Sequence, residues 1–210
     1  MKINILLYDR MTALDVVGPY EVLSRLPGAE VLFVAEQPGP VRADTGFLSL
    51  VADAGLADAP DADLVLVPGG YAAPVRPGPV LDWLRAADAV STWTTSVCSG
   101  ALTLAAAGLL TGRRATTHWL AMERLAALGA VTVPARTVID GKYATAAGVS
   151  AGIDLALELV GRLAGPFVAQ AAQLGIEYDP QPPFTAGSPA TAPEPVVAFV
   201  RAHRDRIMQP

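Results

Sequence analysis

Thr94-Thr-Ser-Val-Cys-Ser-Gly-Ala-Leu-Thr-Leu-Ala105 changes character at its fifth residue. Before it, Val90–Val97 is rich in β-favouring Thr, Trp and Val; after it come small and apolar residues that suit a helix. Cys98 therefore falls at a strand-to-helix corner, where Gly100 and Ala101 leave room for a sharp turn. A side chain at such a corner stands clear of the backbone, as in a nucleophile elbow. It also faces the amino end of the next helix, where free N–H groups and the dipole favour an anion. This predicts a reactive thiol, lowered from about 8.5 towards about 3.5–7.5. The competing reading is a buried, inert cysteine, the commoner state of a free thiol.

Outward from the corner, strands alternate with helices. Ile3–Tyr8 reads as a buried strand, and Asp15–Leu26 as a helix whose start is set by Pro19, a residue tolerated in a first turn. Glu30–Glu36 is a second strand, and Gln37–Asp53, with Phe47–Val51, suggests a small antiparallel excursion. Asp63–Gly70 is a strand ending in a glycine turn, and Val80–Ala89 a helix. Trp119–Leu128 is a further helix, and Asp140-Gly141 a hairpin turn between Thr137–Ile139 and Lys142–Ala147. Ser150–Leu163 is an apolar helix with Ser150 as its N-cap, continued by Phe167–Leu174 after Gly165-Pro166. Tyr178–Pro195 is a Pro-rich surface strap, and Pro195–Met208 a final helix. The expected architecture is α/β: a doubly wound, mostly parallel sheet with helices on both faces, in one domain over residues 1–210.

In such a sheet, ligands bind beyond the carboxyl ends of the strands. The Asp9–Gly18 turn, the Pro68-Gly69-Gly70 turn and Cys98 all fall there. Gly69 and Gly70 would let backbone N–H groups approach closely, and with Ser99 N–H would form donors for charge developing on a substrate. They equally serve as a plain chain turn. Asp15 is a proton donor or base for the thiol if desolvation lifts its pKa, or else a helix-terminal Asp that satisfies backbone N–H groups. His118 borders the pocket or is a structural histidine. Glu21 and His203 are read as surface residues.

Composition narrows the function classes. The 210 residues are 52% hydrophobic and 17% charged, enough for a large core, with a net charge of −5. There is no Lys/Arg cluster for nucleic acid or anionic membrane, and no apolar run reaches the roughly 18 residues of a membrane span. One cysteine and two histidines exclude an internal disulfide and argue against a thiolate or imidazole metal cluster, and a reducing cytoplasm fits. Ser99, not His, follows Cys98, and no late His-x-Glu pair occurs as a glutamine amidotransferase would need. A thiol beside a carboxyl, without an imidazole, suits addition of water to an unsaturated electrophile better than amide cleavage.

Leu14-Asp15-x-x-Gly18-Pro19-x-Glu21-Val22, Val67-Pro68-Gly69-Gly70, Ser96-Val97-Cys98-Ser99-Gly100 and Arg113-Arg-Ala-Thr-Thr-His-Trp119 together resemble the superfamily that contains the PfpI-type proteases. More narrowly they resemble its isonitrile hydratase branch. Ala147-Gly-Val-Ser-Ala-Gly-Ile-Asp154 and Tyr178-x-Pro-x-Pro-Pro-Phe-x-x-Gly-Ser-Pro189 extend the likeness over nearly the whole chain. The resemblance implies a flavodoxin-like fold, a homodimer, no cofactor, and conversion of an isocyanide to an N-substituted formamide. It further implies Cys98 as nucleophile, Asp15 as general acid and base, and Ser99, which stands where the family often has Thr, as a hydroxyl for substrate. Alternatives within the same family are a glyoxalase-like enzyme, a redox sensor and the ligand-sensing half of AraC-type regulators. The last carry a helix-turn-helix region, for which one helix after the strap leaves no expected room.

Overall fold

The computed structural model describes residues 1–204. In chain order the strands are β1 (Lys2–Leu6), β2 (Glu30–Ala35), β3 (Gly39–Arg42), β4 (Ser49–Ala52), β5 (Ala54–Gly55), β6 (Leu64–Val67), β7 (Trp93–Val97), β8 (Arg114–Ala115), β9 (Val131–Thr132), β10 (Thr137–Asp140) and β11 (Tyr143–Ala146). The helices are α1 (Ala13–Leu23), α2 (Pro79–Val90), α3 (Gly100–Ala106), α4 (Met122–Ala127), α5 (Ala151–Ala164), α6 (Pro166–Gly175) and α7 (Glu194–Ala202). Among the described residues, seven strands form the central sheet in the order β10-β11-β7-β6-β1-β2-β5. Every neighbouring pair in it is parallel except β10 with β11. The expected excursion is the antiparallel pair β3 and β4.

Strand composition explains the layering. All four residues of β6, Leu64–Val67, are buried, as are Ile3, Ile5 and Leu6 of β1, because a parallel strand covered on both faces has no polar side. From β1 to β2 the chain steps one way across the sheet, and from β6 to β7 it steps the other way. Right-handed crossovers therefore put α1 and α2 on opposite faces. The fold is flavodoxin-like, and the reversal lies between β6 and β1. A crevice opens there because the loops leaving the two strands diverge.

Several boundaries differ from the sequence reading. Helix α1 begins at Ala13, so Pro19 sits in its second turn rather than its first. Its ring packs against Gly152 of α5, and this tertiary contact offsets the missing N–H bond. The predicted helix over Trp119–Leu128 opens as a 3-10 turn, Trp119–Ala121, before α4. Ser150 precedes α5 but makes no capping bond; its Oγ accepts from Arg136 instead. The last helix is α7, and the part of its predicted span beyond residue 204 lies outside the described residues. No helix among those described is long and apolar enough to cross a membrane.

Candidate active site

Cys98 follows β7 directly and has φ of 54°, a left-handed conformation that costs a non-glycine residue energy. Its surroundings hold it there. The Cys98 N–H donates to Ala147 O at 2.8 Å, and its carbonyl accepts from Thr117 Oγ1 at 2.7 Å. A Cβ on Gly100 would lie 2.2 Å from Val67 O, so only glycine lets α3 start this close to β6. The predicted elbow is present.

Gly69 marks where the three strand ends meet. A Cβ there would lie 2.6 Å from Ser99 N, 2.8 Å from Asp15 Oδ2 and 2.8 Å from Cys98 Cβ. Asp15, in the first turn of α1, is fully buried. Its Oδ2 accepts from Gly69 N–H at 2.8 Å, on the side of Gly69 that also faces Cys98. Oδ1 has no partner. Burial, helped by the charge of Asp44, raises the Asp15 pKa from 3.8 to about 8, against the lowering pull of the Gly69 and Cys98 hydrogen bonds. Asp15 is thus a protonated acid at neutral pH, with an oxygen free to carry the proton.

The thiol departs from the sequence reading. Burial, reinforced by the Asp15 charge, pushes it up rather than down. Against this act the backbone N–H groups of Val149 and Ser99, both directed at the sulfur, and the Ser99 side chain. The following helix, α3, is only seven residues long, so its dipole adds little. Cys98 is wholly buried in the resting state. With Asp15 protonated, its charge no longer opposes a thiolate at Cys98.

The expected donor pair is also occupied. Gly69 N–H serves Asp15, and Gly70 N–H donates to Ser99 Oγ at 2.9 Å, which lies 3.1 Å from Gly70 O. Neither glycine N–H is free for a substrate, and the Ser99 hydroxyl ties two strand ends together instead of facing a ligand. The backbone N–H groups that favour a thiolate at Cys98 are those of Val149 and Ser99. Val149, with φ of 21°, precedes α5 and was not foreseen. Thr117 was not singled out either. Nor was Tyr8, a buried phenol that donates to Pro68 O at 3.0 Å and is raised by burial and then by Asp15 and Cys98. The quoted motifs contain Thr117 and Val149, but nothing in their residue types marks a role.

A cleft of about 560 Å³ adjoins this group, lined by Leu14, Thr117, His118, Trp119, Val149 and Arg136 among others, with Gly187–Ala190 of the strap as one wall. Cys98 and Asp15 are buried and do not line this cleft, whereas Thr117, which bonds the Cys98 carbonyl, does. His118 does border the cleft, as the sequence suggested. Its Nδ1 accepts from Leu120 N–H, and burial, aided by the charge of Arg204, lowers its pKa to about 4. It is a neutral imidazole there, whose Nε2–H lies towards Gly148.

A model of the DJ-1/PfpI family matches residues 1–162. An isonitrile hydratase of Pseudomonas putida is 44% identical over 207 residues, covering 96% of this chain and 89% of that protein. The crystal structure of a ThiJ/PfpI family protein from Pseudomonas syringae superposes with a TM-score of 0.94 at 39% identity, covering 99% of this chain and 87% of the other. The HTH-type transcriptional regulator CdhR of Pseudomonas aeruginosa is 36% identical over 138 residues, which are 62% of this chain and 40% of the regulator.

Proposed function

The chain belongs to the DJ-1/PfpI family, and from that premise we propose that it is a hydro-lyase, an isonitrile hydratase that adds water to an isocyanide to give an N-substituted formamide. The observation that carries the reading is the Cys98 thiol beside a buried, protonated Asp15 whose Oδ1 is unpartnered. An isocyanide carbon accepts both a nucleophile and a proton, and this pair holds both.

In the first step the Cys98 sulfur bonds to the terminal carbon while Asp15 delivers a proton to that same carbon. The thiol's own proton returns to Asp15, and the product is the thioimidate R–N=CH–S–Cys. Water then adds to the imidate carbon as its nitrogen gains a proton, again through Asp15. Collapse of R–NH–CH(OH)–S–Cys breaks the C–S bond, restores the thiol and releases R–NH–CHO. The balance is one isocyanide plus one water to one formamide, with no oxidant and no added group. The Val149 and Ser99 N–H groups stabilise sulfur as the thiol gives up its proton before attack, and again as the C–S bond breaks in collapse and the electron pair returns to sulfur.

The test is formamide formation from an aryl isocyanide, followed by mass spectrometry of the protein. Wild type is expected to turn over and Cys98→Ala to fall to background. Undiminished turnover by Cys98→Ala removes the reading, and saturable binding without turnover by wild type replaces it with ligand sensing, the class of the regulator it is similar to.

We also assign the protein to the cytoplasm and to a homodimer. Helix α7 has no buried residue and exposes Val196 and Phe199, while α6 exposes Phe167 and Leu174. A nine-residue helix is not stable without a covered apolar face. Light scattering is expected to give twice the chain mass of 21.7 kDa; a monomer at micromolar concentration contradicts the assignment.

A further inference from the structure

Hydration at the isocyanide carbon leaves the substituent on nitrogen unspecified, and the cleft carries information about it. Its walls are mostly apolar, with Leu14, Trp119, Met122, Pro134 and Pro189 among them. The hydroxyls that line it are already engaged. Thr117 bonds Cys98 O, Thr116 bonds Ala135 O, Ser150 accepts from Arg136, and Ser188 pairs with Thr191.

Arg136 is the exception. Its Nε is bonded to Asp154 Oδ2 and its Nη2 to Ser150 Oγ, and Tyr178 of the strap bonds the other oxygen of Asp154 at 3.0 Å. This fixes the guanidinium plane, while half of the side chain stays exposed at the cleft wall. A guanidinium held along one edge presents its remaining N–H groups as a pre-ordered fork, which matches a carboxylate. Two further cations lie near the cleft, while the carboxylate of Glu158 is taken up by Thr137 and Arg162. Arg201 of α7 lies 5.7 Å over the Trp119 ring, and the Arg204 charge is felt at His118. Asp154 opposes them but is spent on Arg136 and Tyr178. A locally basic rim on a chain of net charge −5 favours an anionic end in this cleft.

The backbone sets the reach. Cys98 N–H bonds Ala147 O, and Ala147 N–H bonds Arg136 O. Two successive interstrand steps therefore separate the Cys98 and Arg136 backbones, a span of about 10 Å. We propose that Arg136 is a specificity-determining residue and that the preferred substrate is an isocyanide whose apolar body, about one ring long, ends in a carboxylate. This rests on the hydratase reading above.

The experiment compares three aryl isocyanides of equal length on the full chain: a para-carboxylate, its methyl ester, and a para-aminomethyl cation. The carboxylate is expected to exceed the ester in kcat/KM by about tenfold or more, mainly through KM, with the cation lowest. Raised salt narrows that ratio. Arg136→Gln is expected to bring carboxylate and ester level, and Arg136→Lys to keep part of the preference. Because Arg136 also anchors Asp154, an Arg201→Gln/Arg204→Gln variant on the exposed helix serves as a second readout; it should reduce the ratio and its salt dependence. Turnover of the ester equal to or above that of the carboxylate overturns this inference and leaves hydration standing. No turnover of any of the three overturns both.

Discussion

Asp15 and Asp88 are buried at opposite ends of the same sheet, and their surroundings treat them in opposite ways. Asp88, on α2 near the amino ends of β7 and β11, is surrounded by partners. Thr94 Oγ1 donates to it at 2.6 Å and Tyr143 OH at 3.1 Å, and Lys142 Nζ lies 3.1 Å away, also bonding the Asp88 carbonyl. Asp15, at the carboxyl ends, has one backbone N–H on Oδ2, a thiol beside it and nothing on Oδ1. Buried polar atoms are normally paired, since an unpaired one costs about 1–3 kcal/mol. Asp88 obeys that rule and locks α2 to the β10–β11 hairpin. Asp15 breaks it, and the contrast sets a group that holds the fold against one whose oxygen is left unpaired.

Exchanging each carboxylate for its amide tests the contrast. The largest expected effect is on catalysis: Asp15→Asn keeps the acceptor for Gly69 N–H but cannot shuttle a proton, so isocyanide hydration should fall about 10²–10⁴-fold. Full activity in that variant would make Asp15 structural, like Asp88. Wild-type activity should also decline above about pH 8, where Asp15 loses its proton.

Asp88→Asn should do the reverse. It weakens the Lys142 pair and the Thr94 and Tyr143 hydrogen bonds, so chemical denaturation is expected to show a loss of about 1–3 kcal/mol with turnover per folded molecule unchanged. An equal loss of activity would mean that the two ends of the sheet are coupled.

A further effect is in the pH dependence of stability. The folded pKa of Asp15 is raised from 3.8 to about 8, so between those values the native state binds a proton that the unfolded chain has released. Each pH unit upward across that window therefore costs wild type stability, up to about 1.4 kcal/mol per unit, and none of that cost falls on an amide. Thermal unfolding should show Asp15→Asn gaining on wild type from about pH 4 to 8. Parallel curves would place Asp15 in its ionised form at rest.

Much of the fold was legible because burial on both faces leaves a simple mark. Ile3–Tyr8 and Asp63–Val67 are apolar runs that end in turns, and parallel pairing follows from their alternation with helices. The elbow was legible for a similar reason: a β-rich run, a cysteine and a Gly-Ala pair are local features, and the local backbone obeys them. Helix α1 was misplaced by two residues because Pro19 was weighed by its own propensity, while its packing on Gly152 involves a segment more than a hundred residues away.

Composition and order along the chain thus determined the layers, the corner at Cys98 and the convergence of Asp15, Gly69 and Cys98 at one end of the sheet. Only the tertiary structure decided which N–H groups were already spent, that Ser99 binds Gly70, and that Val149 and Ser99 face the sulfur. It also reversed the thiol's expected shift and set the acid's, because a pKa answers to solvent lost and charges gathered from every side. A hydrogen bond uses up a donor wherever in the chain its acceptor comes from, and neither effect is written in neighbouring residues.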